Sequence, residues 1–332
     1  MLFRSHDTAR LLELGLIREA GDSHPTGGRP RLPLEIDPDR RRVLGVAIEP
    51  GVVRAQTVDL RGRPRGKGRR RRVRAARRLL GEARRLIRET VDHRTLAVGM
   101  TVPGFLDPAS HRVLFSAAWP DSGPVDLSGL ADSLAPRRLV VNNNINGLAT
   151  RHQLQQAVLC PEDQLLVFFG DGQLGASLLI GGRTFAGCIT GANELGHTRL
   201  AVDTPRCYCG HVGCLERIFS SEYLASLASD SPPLGEALRA GGDATALERI
   251  TDLLATGVAN AMNFCRVGQV IWATDLPGID PYLHRLAERV RGRLLRELRQ
   301  RVDIAFAAEA DPSGPRSAAA LALAAVCYQT GA

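Results

Sequence analysis

Lysine is almost missing from this sequence: Lys67 is the single example among 43 basic side chains, so the formal net charge of +8 rests on arginine. A basic excess suits an anionic partner such as nucleic acid. The chain is also rich in Ala, Gly and Leu, and biased codon usage produces that combination by itself, so the charge specifies no partner. No window holds the roughly 18 uninterrupted apolar residues of a membrane-spanning helix, and MLFRSHDTAR carries no secretory apolar region. The expected address is cytoplasmic, with no membrane partner. Cysteine is sparse and odd in number, seven in 332 residues. A reducing compartment disfavours disulfides, which leaves metal binding or redox chemistry for thiols that cluster.

What is present is an ordinary globular composition, 44% hydrophobic and 23% charged, in a chain long enough for two lobes and a small appendage. TARLLELGLIREAG reads as a short amphipathic helix running into the apolar pair Leu16 and Ile17. A polar loop dense in turn residues follows, and then Leu32, Leu34 and Ile36 alternate as a strand does. Helix, strand, loop, strand is the tail end of a winged helix. From Val43 the pattern changes to strands separated by helices: VLGVAI, VRAQTVDL, LAVGMTV and RLVV form one set, and LLVFF, ASLLI and VIWAT a second. Helices are expected near residues 73–92, 250–265, 280–300 and 315–328. Two similar α/β lobes with a cleft between them are the natural assembly. The expected division is residues 1–38, a partial winged helix; 39–140, an N-terminal lobe; 141–312, a C-terminal lobe; and 313–332, a helix returning to the N-terminal lobe.

The arginine-rich run 61–78, RGRPRGKGRRRRVRAARR, could be a nucleic-acid patch. Val73, Ala76, Leu80, Ala83, Ile87 and Val91 recur at helical spacing, which puts the arginines between them on a solvated face.

CYCGHVGCLE gathers Cys207, Cys209 and Cys214 with glycines that let a turn fold the thiols around a point. Zinc takes four ligands in a tetrahedron, typically thiolate and imidazole. Within GANELGHTRL, His197 is a better fourth ligand than His211, because a short apolar strand follows it and can fold back on the cysteine loop. Redox thiols and incidental cysteines are the other readings of this spacing.

The pairing of GANELGH with CYCGHVGCLE resembles the signature of the ROK family of sugar kinases and sugar-responsive repressors. The likeness runs from about TGGRPRLPLEI to the last helix. It implies an α/β, two-lobed, actin-like ATPase (ribonuclease H-like) fold and a structural zinc ion on His197, Cys207, Cys209 and Cys214. It also implies that Glu194 and Glu216 accept hydrogen bonds from sugar hydroxyls, while His197 turns one ring nitrogen to the metal and the other to the sugar. Ionised carboxylates and a metal-fixed imidazole suit those tasks. Gly104, in TVPGFLD, is expected to line the cleft beside Asn143 and Asn144.

Three departures from the kinase pattern stand out. In VVNNNINGLA, Asn144 stands where the family has its catalytic aspartate, and an amide takes no proton near neutral pH. In VLGVAIEPG, Ala47 replaces the first phosphate motif's aspartate and Glu49 a glycine. VIWATD lacks the glycine triplet of the adenosine side. GDGQLGAS, with Gly170, Gly172 and Gly175, keeps the second phosphate loop. No catalytic residue, ATP or magnesium is therefore expected. In the family's repressors the wing resembles TGGRPRLPLEI, so Gly28, Arg29, Pro30 and Arg31 are candidates for a minor-groove contact. Only seven residues precede TARLLELGLI, too few for the supporting helix of a helix-turn-helix. The expectation is a catalytically inactive, sugar-responsive repressor, dimeric or a dimer of dimers, acting on operator DNA if the winged helix is completed upstream of Met1. A sugar kinase and a sugar-binding protein without DNA contact are the alternatives.

Overall fold

A computed structural model describes residues 2–20, 33–120, 123–156, 163–185, 187, 193–307, 311 and 314–328, so the candidates Gly28, Arg29, Pro30 and Arg31 lie outside the described residues. The chain divides into two compact units, one formed by residues 1–155 with 313–332 and the other by 156–312. The division falls after Gln155 and not at 140/141, because the helix that follows the NNN stretch stays with the first unit.

The first unit opens with α1 (Leu2–Glu13), β1 (Ile17–Glu19) and β2 (Leu34–Ile36). Helix α1 thus begins ahead of the expected Thr8 and takes in the residues before it. Strands β1 and β2 pair antiparallel with Ile17 opposite Ile36. Next come β3 (Arg42–Glu49), β4 (Val52–Asp59), β5 (Pro64–Arg72), α2 (Leu79–Thr90) and β6 (Thr95–Val102). A small antiparallel sheet of β7 (Phe105–Asp107), β8 (Arg112–Phe115) and β9 (Val125–Asp126) leads to α3 (Ser128–Leu134), β10 (Arg138–Asn143) and α4 (Asn144–Gln155). The main sheet has the order β10-β6-β3-β4-β5. Strands β3, β4 and β5 are antiparallel neighbours, whereas β6 and β10 run parallel to β3.

The arginine run corrects the helical expectation. Residues 64–72 form the edge strand β5, and only then does a helical turn at Ala76–Arg78 lead into α2. Eight of the nine β5 residues are exposed, so the strand buries almost nothing and shows no apolar alternation. Its arginines are solvated, but along a sheet edge, where Arg69 and Arg71 bond Glu89 of α2. A strongly charged edge resists pairing with another strand.

The second unit contains β11 (Gln164–Gly170), β12 (Gln173–Ile180), β13 (Arg183–Thr184), α5 (Leu215–Ile218), α6 (Ser221–Leu227), α7 (Leu234–Ala240), α8 (Ala244–Cys265), β14 (Gln269–Thr274), α9 (Asp280–Arg293), α10 (Arg296–Arg299) and β15 (Asp303–Phe306). The single helix expected at 280–300 is therefore two, interrupted at Leu294 and Leu295, whose backbones are extended. Its sheet, β13-β12-β11-β14-β15, repeats the first: three antiparallel strands, then two parallel to the first of them. Numbered within each five-stranded sheet, the order is 3-2-1-4-5 twice. That duplicated mixed sheet is the actin-like ATPase fold.

Burial follows the periodicities of the sequence. In β11, Leu165, Val167 and Phe169 face the core that Ile250, Leu254, Val258 and Met262 of α8 fill at every fourth position. Asp243 caps α8 by accepting from the Ala246 amide at 2.7 Å. The chain returns to the first unit as α11 (Pro315–Leu323). A Cβ on Gly45 of β3 would stand 1.8 Å from the Pro315 carbonyl oxygen, and one on Gly99 of β6 1.8 Å from that of Ala318. Two glycines on adjacent strands let this alanine-rich helix lie directly on the sheet.

Candidate functional site

The second unit brings together the GANELGH and CYCGHVGCLE segments. Leu195–His197 forms a single tight turn against β12, where a Cβ on Gly196 would meet the Leu174 carbonyl oxygen at 2.0 Å. After the turn the chain doubles back on the cysteine loop as expected, though through an isolated bridge between Arg199 and Cys214 and not a strand. Leu200 N–H donates to Gly213 O at 2.8 Å and Leu215 N–H to Thr198 O at 3.0 Å. Cys214 precedes α5, and Glu216 lies on that helix, which is seated against α8 where Gly257 leaves room for Leu215.

The ligand atoms of His197, Cys207, Cys209 and Cys214 all lie within 4.8 Å of one another. Cys207 Sγ is 3.6 Å from His197 Nδ1, and Cys209 Sγ 3.6 Å from Cys214 Sγ. A zinc tetrahedron has sulfur–sulfur edges of about 3.8 Å and sulfur–nitrogen edges of about 3.6 Å, given metal–sulfur and metal–nitrogen distances near 2.3 and 2.0–2.1 Å. The donor set and its spacing fit zinc. His211 stays outside the cluster, its carbonyl accepting from the Cys207 amide.

Two carboxylates flank the cluster. Glu216 Oε2 is 3.7 Å from Cys207 Sγ and 4.0 Å from His197 Nδ1, while Glu194 Oε2 is 3.8 Å from His197 Nε2. Burial, aided by the neighbouring Glu216 charge, pushes Glu194 up to about 8. Burial also pushes Glu216 up to about 7, against the opposing hydrogen bonds from Tyr208 and Cys207. Desolvation lowers the His197 pKa, which keeps the imidazole neutral and able to ligate, and it raises Cys207 far above the usual thiol range and Cys214 to about 11. Buried thiols of this kind release protons when a cation binds them.

Sequence reasoning missed Tyr208, which stands between two of the cysteines. Its hydroxyl lies 3.0 Å from His197 Nε2 and also bonds Glu216, and its ring meets the imidazole edge-on. Thus the nitrogen assigned to a sugar hydroxyl already holds a phenol hydroxyl.

The remaining candidates of the first unit sit at the carboxyl ends of parallel strands, where open α/β sheets place ligands. Gly104 follows β6 with φ +124°, and Asn143 ends β10 opposite Val102 of β6. Asn143 Oδ1 accepts from the Asn146 amide at 2.7 Å and so caps α4. Asn144 is buried in the first turn of that helix. Ala47, fully buried, pairs with Thr101 of β6, and Glu49 at the strand end binds Arg54 Nε at 2.6 Å, so the carboxylate expected to face phosphates is engaged by a guanidinium.

In the second unit Gly170 ends β11, Gly172 turns the chain with φ +65°, and Gly175 pairs with Phe168. The residue between the first two, Asp171, accepts from the Ser221 amide at 2.7 Å. Asp275, just past β14, has its pKa raised by burial and by the charges of Asp311 and Asp171. Asp171 and Asp275 therefore put two carboxylates at the glycine turn, with the charge of Asp311 acting on Asp275.

The duplicated sheet and the Cys3His cluster with flanking glutamates define a protein of the actin-like ATPase fold whose second unit carries a cluster that could hold a metal ion. Residues 75–325 match the model of the ROK family, and the chain belongs to that family. It is 26% identical over 226 residues to the DNA-binding transcriptional dual regulator NagC of Escherichia coli K12, covering 64% of this chain and 53% of the regulator. It is 31% identical over 230 residues to the kanosamine kinase of Amycolatopsis mediterranei, covering 64% of this chain and 73% of the kinase. A solved ROK family transcriptional regulator, a homologue of the E. coli MLC protein, superposes with a TM-score of 0.78 at 19% identity, over 97% of this chain and 87% of that one. At that identity the likeness speaks for the fold. The match by sequence spans about half the length of NagC, 53%, and 57% of the putative xylose repressor of Caldicellulosiruptor.

Proposed function

We propose that the protein is a sugar-responsive transcriptional regulator of the ROK family that has lost phosphotransfer. The observation that carries this reading is the pair Asn143 and Asn144, where the resemblance calls for an acid: one amide oxygen is spent capping α4 and the other side chain is an amide as well. Losing a general base costs roughly 10²- to 10⁴-fold in rate. The carboxylates of Asp171, Asp275 and Asp311 add repulsion where a nucleotide's phosphates are expected.

In this reading Glu194, His197 and Glu216 of the second unit hold the sugar hydroxyls. Zinc, when bound, supplies a fixed charge that orients the imidazole and draws protons off the thiols. The chain's own part is to exclude water and to present hydrogen-bond acceptors in one arrangement. The sugar acts on operator DNA only if it binds one state of a dimer more tightly than the other. The β1–β2 ribbon and the arginines at 29 and 31 are the proposed DNA-contacting region.

A sugar kinase is the second reading, favoured by the 31% identity to kanosamine kinase. A coupled assay of ADP release on the zinc-loaded protein, with ATP and a panel of hexoses, aminohexoses and N-acetylhexosamines, separates the two. No sugar-dependent release is expected. Sugar-dependent ADP release abolished by removing ATP-site residues would sink the regulator-only reading.

A further inference from the structure

Away from the zinc cluster, the first unit contains a pocket of about 180 Å³ walled by the β4–β5 turn, α4 and α11. Four arginines line it: Arg61 and Arg63 from the turn, Arg151 from α4 and Arg316 from α11. Among the described lining residues there is no Asp or Glu. The acid of the turn, Asp59, is fully buried and occupied by the amides of Arg61 and Arg63 and by Arg65 Nε. Leu60, Leu154 and Ala320 add an apolar floor.

Size and charge narrow the occupant. Liquid water takes about 30 Å³ per molecule, so the pocket holds on the order of six waters. Pockets for drug-sized ligands run to roughly 300–1,000 Å³, which makes this one too small for a nucleotide. Guanidinium forks match phosphate oxygens in two-pronged pairs. Arg151 is 5% exposed, so part of the positive wall is already desolvated, where an anion gains more than it does on an open surface.

We propose that this four-arginine pocket binds a small phosphate-bearing metabolite, a second ligand site distinct from the sugar residues. Arg61 connects it to the N-terminal ribbon. Its guanidinium bonds the Glu35 carboxylate of β2 and the Ile36 carbonyl oxygen, the latter at 3.2 Å. An anion in the pocket competes with Glu35 for Arg61 and loosens the hold on β2. The site stands on the pocket alone and does not depend on the sugar-sensor reading.

Titration calorimetry of the full chain with glycerol 3-phosphate, inorganic phosphate and, as the uncharged control, glycerol tests the site. Binding of both phosphates but not glycerol is expected, weakened about tenfold by Arg63→Gln and by Arg151→Gln. Arg63 is on an exposed turn, so that variant carries the test if the buried Arg151→Gln does not fold. Absence of phosphate heat at millimolar concentration, binding unaffected by Arg63→Gln, or heat only with a DNA duplex would each overturn the site. Hydrogen exchange at Ile17–Glu19 is expected to quicken with glycerol 3-phosphate. Unchanged exchange with the pocket filled would overturn the link to the ribbon.

Discussion

At the scale of single residues, His197 works in two directions. Nδ1 faces the three thiols, and Nε2 faces Tyr208 and Glu194. In the proposed sensor a sugar hydroxyl takes the place that the Tyr208 hydroxyl holds, so Tyr208→Phe is expected to tighten sugar binding about fivefold. That corresponds to about 1 kcal/mol for one competing hydrogen bond, read by calorimetry. Weaker binding in the variant would show that Tyr208 grips the sugar instead. The glutamates predict a pH dependence in the metal-free protein. Their folded pKa values, about 8 for Glu194 and about 7 for Glu216, lie above the ordinary value near 4.3. A raised carboxyl favours folding fully below its unfolded pKa, and that contribution is lost as pH rises through the folded value. The melting temperature of chelator-treated protein is therefore expected to fall between about pH 4 and pH 8, and Glu194→Gln to flatten the slope. A melting temperature rising across that window would contradict the assignment. The gathering of His197, Cys207, Cys209 and Cys214 was legible from the close spacing of the cysteines and from the pairing of GANELGH with CYCGHVGCLE. Tyr208 and Asp171 were not, since a phenol or a carboxylate in a turn carries no periodic signal and its partner is set by how the loop closes.

At the scale of elements, the long helices and strands that bury a face were legible in the sequence, whereas the short helices α3, α6 and α7, which also bury a face, and the exposed strand β5 were not. The continuous apolar runs VLGVAI and LLVFF, buried on both faces, and the fourfold spacing in α8 reflect what each packs against. Strand β5 owes its existence to ladder hydrogen bonds with β4 and leaves no hydrophobic trace, so its arginines read as the start of a helix. Helix α4 went unseen for a different reason: it follows directly on the asparagines that end β10, turn-formers by composition, and is nucleated by the Asn143 cap. The contact of α11 with the sheet gives the sharpest element-level prediction. Gly99→Ala puts a methyl carbon where Ala318 O stands 1.8 Å away, so helix and sheet must separate. A loss of about 1–3 kcal/mol is expected, a melting shift of about 3–10 °C by calorimetry. An unshifted midpoint would mean that α11 does not rest on β6.

At the scale of the whole molecule, the repeated 3-2-1-4-5 sheet explains why two sets of strands were visible in the sequence, while their boundary was misplaced by one helix. Among the described residues no helix is long and apolar enough to cross a membrane. One fold serves both kinases and regulators in this family, so function turns on the few side chains at the strand ends and beside the cysteines. The central claim is that zinc-backed glutamates bind a sugar in a protein that does not use ATP. Its most direct test is calorimetry of the zinc-loaded chain against hexoses and N-acetylhexosamines and then against ATP, repeated with Glu216→Ala at unchanged zinc content. The account predicts heat from at least one sugar, its loss in the variant, and none from ATP. Heat from ATP, or sugar heat that survives Glu216→Ala, would contradict it.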